Sequence, residues 1–151
     1  MEAALRMLSR RDHTMHELCT KLHEKGFSAE AVDRAVHQCR HLGYLDDAKT
    51  AKALAEQLIR RGYGPLRIRE TLSGKGLDED IIHSVLEQDD NNGTGILDTA
   101  KRALEKKRSR FDREPDPHKQ WQKAFRFLAG RGFSADVIRK ALDGFFIDVN
   151  N

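Results

Sequence analysis

The sequence predicts an all-α protein, an elongated and curved array of three tandem three-helix repeats. Apolar residues recur at helical spacing, as in Val32, Ala35, Val36 and Cys39, and again in Ala48, Ala51, Ala55, Leu58 and Ile59. The composition is 34% charged and 7% aromatic with three prolines in 151 residues, which suits helices with much solvated surface. Third, the chain repeats itself. LSRRDHTMHELCTKL from Leu8 and LIRRGYGPLRIRETL from Leu58 both place leucines 14 residues apart. KGFSAEAVDRAV from Lys25, KGLDEDIIHSVL from Lys75 and RGFSADVIRKAL from Arg131 then share a basic residue, Gly, an apolar residue and a Ser or Asp cap. Small bundles joined by stiff hinges cannot close into one round core, hence the expected curvature.

The first copy, residues 1–45, predicts helices over about 3–11, 14–25 and 28–42, with Thr14 and Glu17 as a capping box. The GYLDD junction follows. Gly43 suits a left-handed helix end, and Tyr44 and Leu45 are read as the apolar contacts of the corner. Asp46 or Asp47 caps the next helix, and the second carboxylate favours the positive end of its dipole. GYLDD thus reads as a hinge and not as a catalytic acid pair.

The second copy, 46–90, predicts helices over about 47–61, 65–75 and 78–88. Gly64 and Pro65 occupy a helix start, where proline's missing N–H does no harm. A DDNNGTG loop from Asp89 leads to the third copy, 91–151, with helices over about 95–110, 117–131 and 134–145. Asp116 and Pro117 form its second start. Its first connection is longer, with the extra residues in RSRFDREPDP.

Several function classes lack support. No apolar run approaches the roughly 18 residues of a membrane span, and MEAALRMLSRR has no apolar signal-peptide centre. Cys19 and Cys39 have no CxxC spacing, so reduced thiols in a cytosolic monomer are expected. His16, Cys19 and His23 share one helical face, but the matching positions of the second copy are Leu66, Arg69 and Ser73, so no metal is expected. Neither GxxxxGK[ST] nor GxGxxG occurs, and no nucleophile–base arrangement stands out. Trp121, Phe125, Phe127, Phe133, Phe145 and Phe146 read as core and not as a base-stacking ladder. Neither catalysis nor a cofactor is expected.

GYLDD, a helix ending RRGYGP, then IRETLSGKGLDEDII and the RGF of the third copy resemble the RecX family of bacterial regulators of the RecA recombinase. The resemblance spans essentially the whole chain. One departure is Thr50, where the family usually has an aromatic; with Asp46 as N-cap, Leu45 and Thr50 are the staple positions. The resemblance implies a cytoplasmic protein of DNA repair, homologous recombination and the SOS response. It implies binding to the RecA filament on single-stranded DNA and restraint of its ATPase and strand exchange. Double-stranded DNA is a further expected partner.

Charge suggests where contact occurs. Thr99 to Arg113 holds seven basic residues against Glu105 and Asp112. Lys106, Lys107 and Arg108 lie in this run, and Arg60, Arg61, Arg67, Arg69 and Lys75 form a second basic group. Arg67 and Arg69 open a helix, where positive charge opposes the dipole, so helix stability does not call for them. These eight are the candidate contacts with RecA or DNA. Alternatively, three-helix units with basic second helices suit a helical-repeat protein acting on DNA directly, or the charge run is simply a solvated helix face.

Overall fold

The computed structural model describes residues 1–91 and 95–147. Among these residues there are ten helices and no strand: α1 Glu2–Arg10, α2 Met15–Glu24, α3 Ala29–His41, α4 Asp47–Arg60, α5 Pro65–Gly74, α6 Glu79–Asn91, α7 Ile96–Lys106, α8 Arg108–Asp112, α9 Pro117–Gly130 and α10 Ala135–Ile147. Part of the DDNNGTG segment, residues 92–94, lies outside the described residues. The chain forms two compact units, residues 1–54 with 71–85 and residues 55–70 with 86–151, so the second copy is shared between them.

The first unit is built on local signals. Thr14 and Glu17 form the capping box in full, each side chain accepting from the other's amide. Ser28 caps α3, and the Asp46 carboxylate accepts from the Lys49 amide at the start of α4. Ala4, Leu18, Leu22, Val32, Ala35, Val36, Cys39 and Leu45 form one core, each fully buried leucine contributing about 2 kcal/mol. Leu45 enters that core, but Tyr44 is 57% exposed, so only one of the two expected corner contacts is made. Asp47 does more than face a dipole: its carboxylate accepts from the Met15 amide at 2.8 Å and ties α4 to the start of α2.

The second unit packs α10 against α7 and α9 around Ala100, Leu104, Phe111, Leu128, Ile138 and Leu142. The expected single helix over 95–110 is broken at Lys107, whose φ of −111° and ψ of 12° end α7. Between Leu104 and Phe111 the chain reads EKKRSR, with nothing apolar to hold a straight helix on the core. The break accompanies burial of Phe111, which meets Phe127 and Phe145 edge to face at 5.7 and 6.3 Å.

One contact recurs between copies. The basic-Gly corner of the second copy docks on the start of α2: the Thr14 hydroxyl donates to the Lys75 carbonyl at 2.7 Å, and the Lys75 ammonium meets Glu17 at 2.9 Å. Gly76 lies so close to the His16 side chain that no Cβ fits. The corner of the third copy docks likewise on the start of α5. Gly64 N–H donates to the Arg131 carbonyl at 2.7 Å, and Leu66 N–H to the Gly132 carbonyl at 3.0 Å. A Cβ on Gly64 would stand 2.5 Å from the Gly132 oxygen, so only glycine permits this approach.

Candidate nucleic-acid and partner interface

The second unit contains a cleft of about 70 Å³ where the end of α4 meets α7. Arg60 and Arg61 come from the last turn of α4 and the residue after it, Arg102 and Lys106 from α7, Lys107 from its break, and Arg131 from the end of α9. Thr99, Ala103, Gly62 and Phe127 complete much of its wall. Among the described residues, no acidic side chain lines it.

Local geometry explains the convergence. Thr99, Arg102, Ala103 and Lys106 recur at i, i+3, i+4 and i+7, one face of α7. Gly62 lets α4 come close, since a Cβ there would stand 3.2 Å from the Ala103 Cβ. Arg131 is fixed on three sides. Its Nη1 donates to the Arg61 carbonyl at 2.7 Å, and its guanidinium lies 4.6 Å from the Tyr63 ring and 5.1 Å from that of Phe127. That carbonyl lies just past the negative end of the α4 dipole, which helps hold the cation.

With no acid among the described residues of its lining, the six cations repel one another, and a polyanion relieves that repulsion. The neighbouring acid is already engaged: Glu105 receives two hydrogen bonds from Arg108, at 2.9 and 2.8 Å, which hold its carboxyl below the ordinary value.

The eight basic candidates occupy different places in the structure. Arg60, Arg61, Lys106 and Lys107 share the cleft. Arg108 stands at the start of α8, 4.0 Å over the Phe145 ring. Lys75 belongs to the corner docked on Glu17. Arg67 lies 5.8 Å from Tyr63, and its backbone abuts Gly132; Arg69 is half-buried on α5. Arg102 and Arg131 were not singled out by sequence. Arg102 was readable from its i, i+4 spacing with Lys106, whereas Arg131 needed a contact across 70 residues.

In the first unit, the GYLDD residues act mechanically. Gly43 has a φ of 79°, and the Tyr44 and Leu45 amides both donate to the Cys39 carbonyl. Cys19 is half-buried and Cys39 buried, and burial raises both thiols above the ordinary range, the opposite of an activated nucleophile. His16 is occupied in packing against Gly76.

Models of three domains match in order: the first RecX three-helix domain over residues 1–39, the second over 46–86 and the third over 96–142. A regulatory protein RecX of Legionella pneumophila (strain Corby) is 44% identical over 92% of this chain and 89% of its own. The chain belongs to the RecX family. The regulatory protein RecX of Vibrio vulnificus (strain CMCP6) is 35% identical over 93% of this chain and 89% of its own. The crystal structure of RecX from Lactobacillus salivarius shares the fold, with a TM-score of 0.83 over 97% of this chain and 94% of that one at 22% identity. A second RecX crystal structure, 27% identical, gives 0.78 over 94% and 70%. The RecX relatives are named as regulatory proteins. Among the described residues no helix is long and apolar enough to cross a membrane.

Proposed function

We propose that this chain binds the RecA filament on single-stranded DNA and inhibits it, restraining ATP hydrolysis and strand exchange without chemistry of its own. Family membership supports the regulatory role, and the RecX resemblance supplies RecA as the target. The observation that carries the contact is the cleft of Arg60, Arg61, Arg102, Lys106, Lys107 and Arg131, with no acid on its walls among the described residues. Phosphates of the filament's DNA strand sit there, held by charge and without base readout. A helical protein seated on the strand and on RecA resists the subunit movements that hydrolysis and exchange require.

The same cleft also favours a second reading, direct action on DNA. Co-sedimentation separates the two. The proposal expects the protein to pellet with RecA filaments on single-stranded DNA more tightly than with the bare strand at equal salt. Equal affinity for both supports direct action on DNA, and no binding to either overturns both.

A further inference from the structure

Arg131 is wrapped around the connection between α4 and α5. Its carbonyl accepts from the Gly64 amide at 2.7 Å, while its Nη1 donates back to the Arg61 carbonyl at 2.7 Å. Tyr63 stands between those two attachments in sequence, and the guanidinium lies 4.6 Å from the centroid of its ring. Tyr63 is itself held in place. Its amide donates to the Leu58 carbonyl at 3.0 Å, and the glycines on either side of it approach Ala103 and Gly132 closely.

Charge alone would not leave the Arg131 guanidinium where it is. Arg60, Arg61, Arg102, Lys106 and Lys107 line the same cleft, with no acid among the described residues of its lining, and like charges repel. An arginine side chain has many rotamers, so that repulsion favours those turned out to solvent. The Arg61 carbonyl and two aromatic rings oppose it. Phe127 lines the cleft and also packs edge to face on Phe111, so it serves the core as well. Tyr63 is half-buried and is not part of the cleft lining, so its effect on a ligand there runs through Arg131.

We infer that Tyr63 is a positioning residue for phosphate: its ring keeps the Arg131 guanidinium in the cleft against the repulsion of the other five cations. This rests on the phosphate reading of the cleft above and adds to it a residue that touches no ligand. The ring is the operative group and the hydroxyl is not, because the face of the ring attracts the cation.

The test measures the affinity of the full chain for a single-stranded thymidine oligonucleotide by fluorescence anisotropy. Tyr63→Leu and Tyr63→Met, both without a ring, should each raise Kd by about fivefold, the scale of one lost cation–π contact. Tyr63→Phe keeps the ring and should bind like the parent. In an Arg131→Ala background, Tyr63→Leu should make no further difference, because no guanidinium remains to be positioned. In an Arg67→Ala background the fivefold loss should persist, although Arg67 lies 5.8 Å from the same ring. Undiminished binding by both ring-free variants, weakened binding by Tyr63→Phe, or a loss that persists without Arg131 would overturn the inference while leaving the phosphate reading intact. A loss that vanishes without Arg67 would do the same. Failure of the unsubstituted protein to bind the oligonucleotide would overturn the reading and the inference together.

Discussion

Arg131 donates to the carbonyl of Arg61 at 2.7 Å, so one cation of the cleft is anchored by the helix end that supplies two others. The guanidinium also lies over Tyr63 and Phe127, which fixes it without neutralising it. A charge held in this way is organised before any ligand arrives, and little side-chain entropy is lost on binding. Arg131 thus joins the packing of the RGF corner to the electrostatics of the cleft.

The cleft makes salt dependence the first expected signature. Replacing Arg60, Arg61, Arg102 and Lys106 by Ala should weaken binding to single-stranded DNA and flatten its dependence on salt, since fewer ionic contacts release fewer counterions. Helicity should persist, because Ala favours helices and the Arg61 carbonyl still receives Arg131. Fluorescence anisotropy across a salt series reads the slope. An unchanged slope would show that phosphate lies elsewhere.

Arg108 should behave differently from its neighbours. Arg108→Ala removes two hydrogen bonds to Glu105 and the stack on Phe145. It should lower stability by about 1 kcal/mol, given the modest strength of exposed pairs and stacks. DNA binding should fall far less than for the cleft variant. A larger effect on binding than on the urea midpoint would return Arg108 to the interface.

Two glycines separate backbone strain from packing. Gly26→Ala and Gly132→Ala face similar positive φ, 93° and 91°, each costing about 1–3 kcal/mol. At Gly132 the new methyl also strikes the Arg67 backbone, whereas at Gly26 it meets open space. Gly132→Ala should be clearly the less stable in urea. Equal losses would mean that the corner is not held by close approach.

These contrasts show which features the sequence made legible. The capping box of Thr14 and Glu17, the Asp46 cap and the starts at Pro65 and Pro117 depend on residues within one turn, and local spacing revealed them. The break at Lys107 depends on burying Phe111 beside Phe127 and Phe145, partners that spacing along α7 cannot show. The repeated basic-Gly corner was visible as a motif, but its docking site was not, because Thr14 and Lys75 lie 61 residues apart. The cleft was half legible for the same reason. Its α4 and α7 members stand in basic runs, while Arg131 looked like an ordinary helix-end residue.

Acid should loosen the first of these docked corners. Burial pushes the Glu17 carboxyl up, but the Lys75 ammonium, the Thr14 amide and Arg11 outweigh it and hold Glu17 below its ordinary 4.5. A carboxyl depressed in the folded state contributes stability that is full above 4.5 and is lost as pH falls through the folded value. Glu17→Gln should therefore melt earlier than the parent at neutral pH, and the two curves should converge on acidification. Buried His13, held below 6.5 by desolvation, loses its own contribution from 6.5 downward in both proteins. Parallel melting curves down to strongly acidic pH would contradict the role given to Glu17.

The most direct measurement is the steady-state rate of ATP hydrolysis by RecA on single-stranded DNA as this protein is titrated in. The account predicts that the unsubstituted chain slows turnover to a low plateau and hydrolyses no ATP alone. The variant lacking Arg60, Arg61, Arg102 and Lys106 side chains should require a far higher concentration to do so. RecA turnover that stays unchanged at saturating protein would contradict the account.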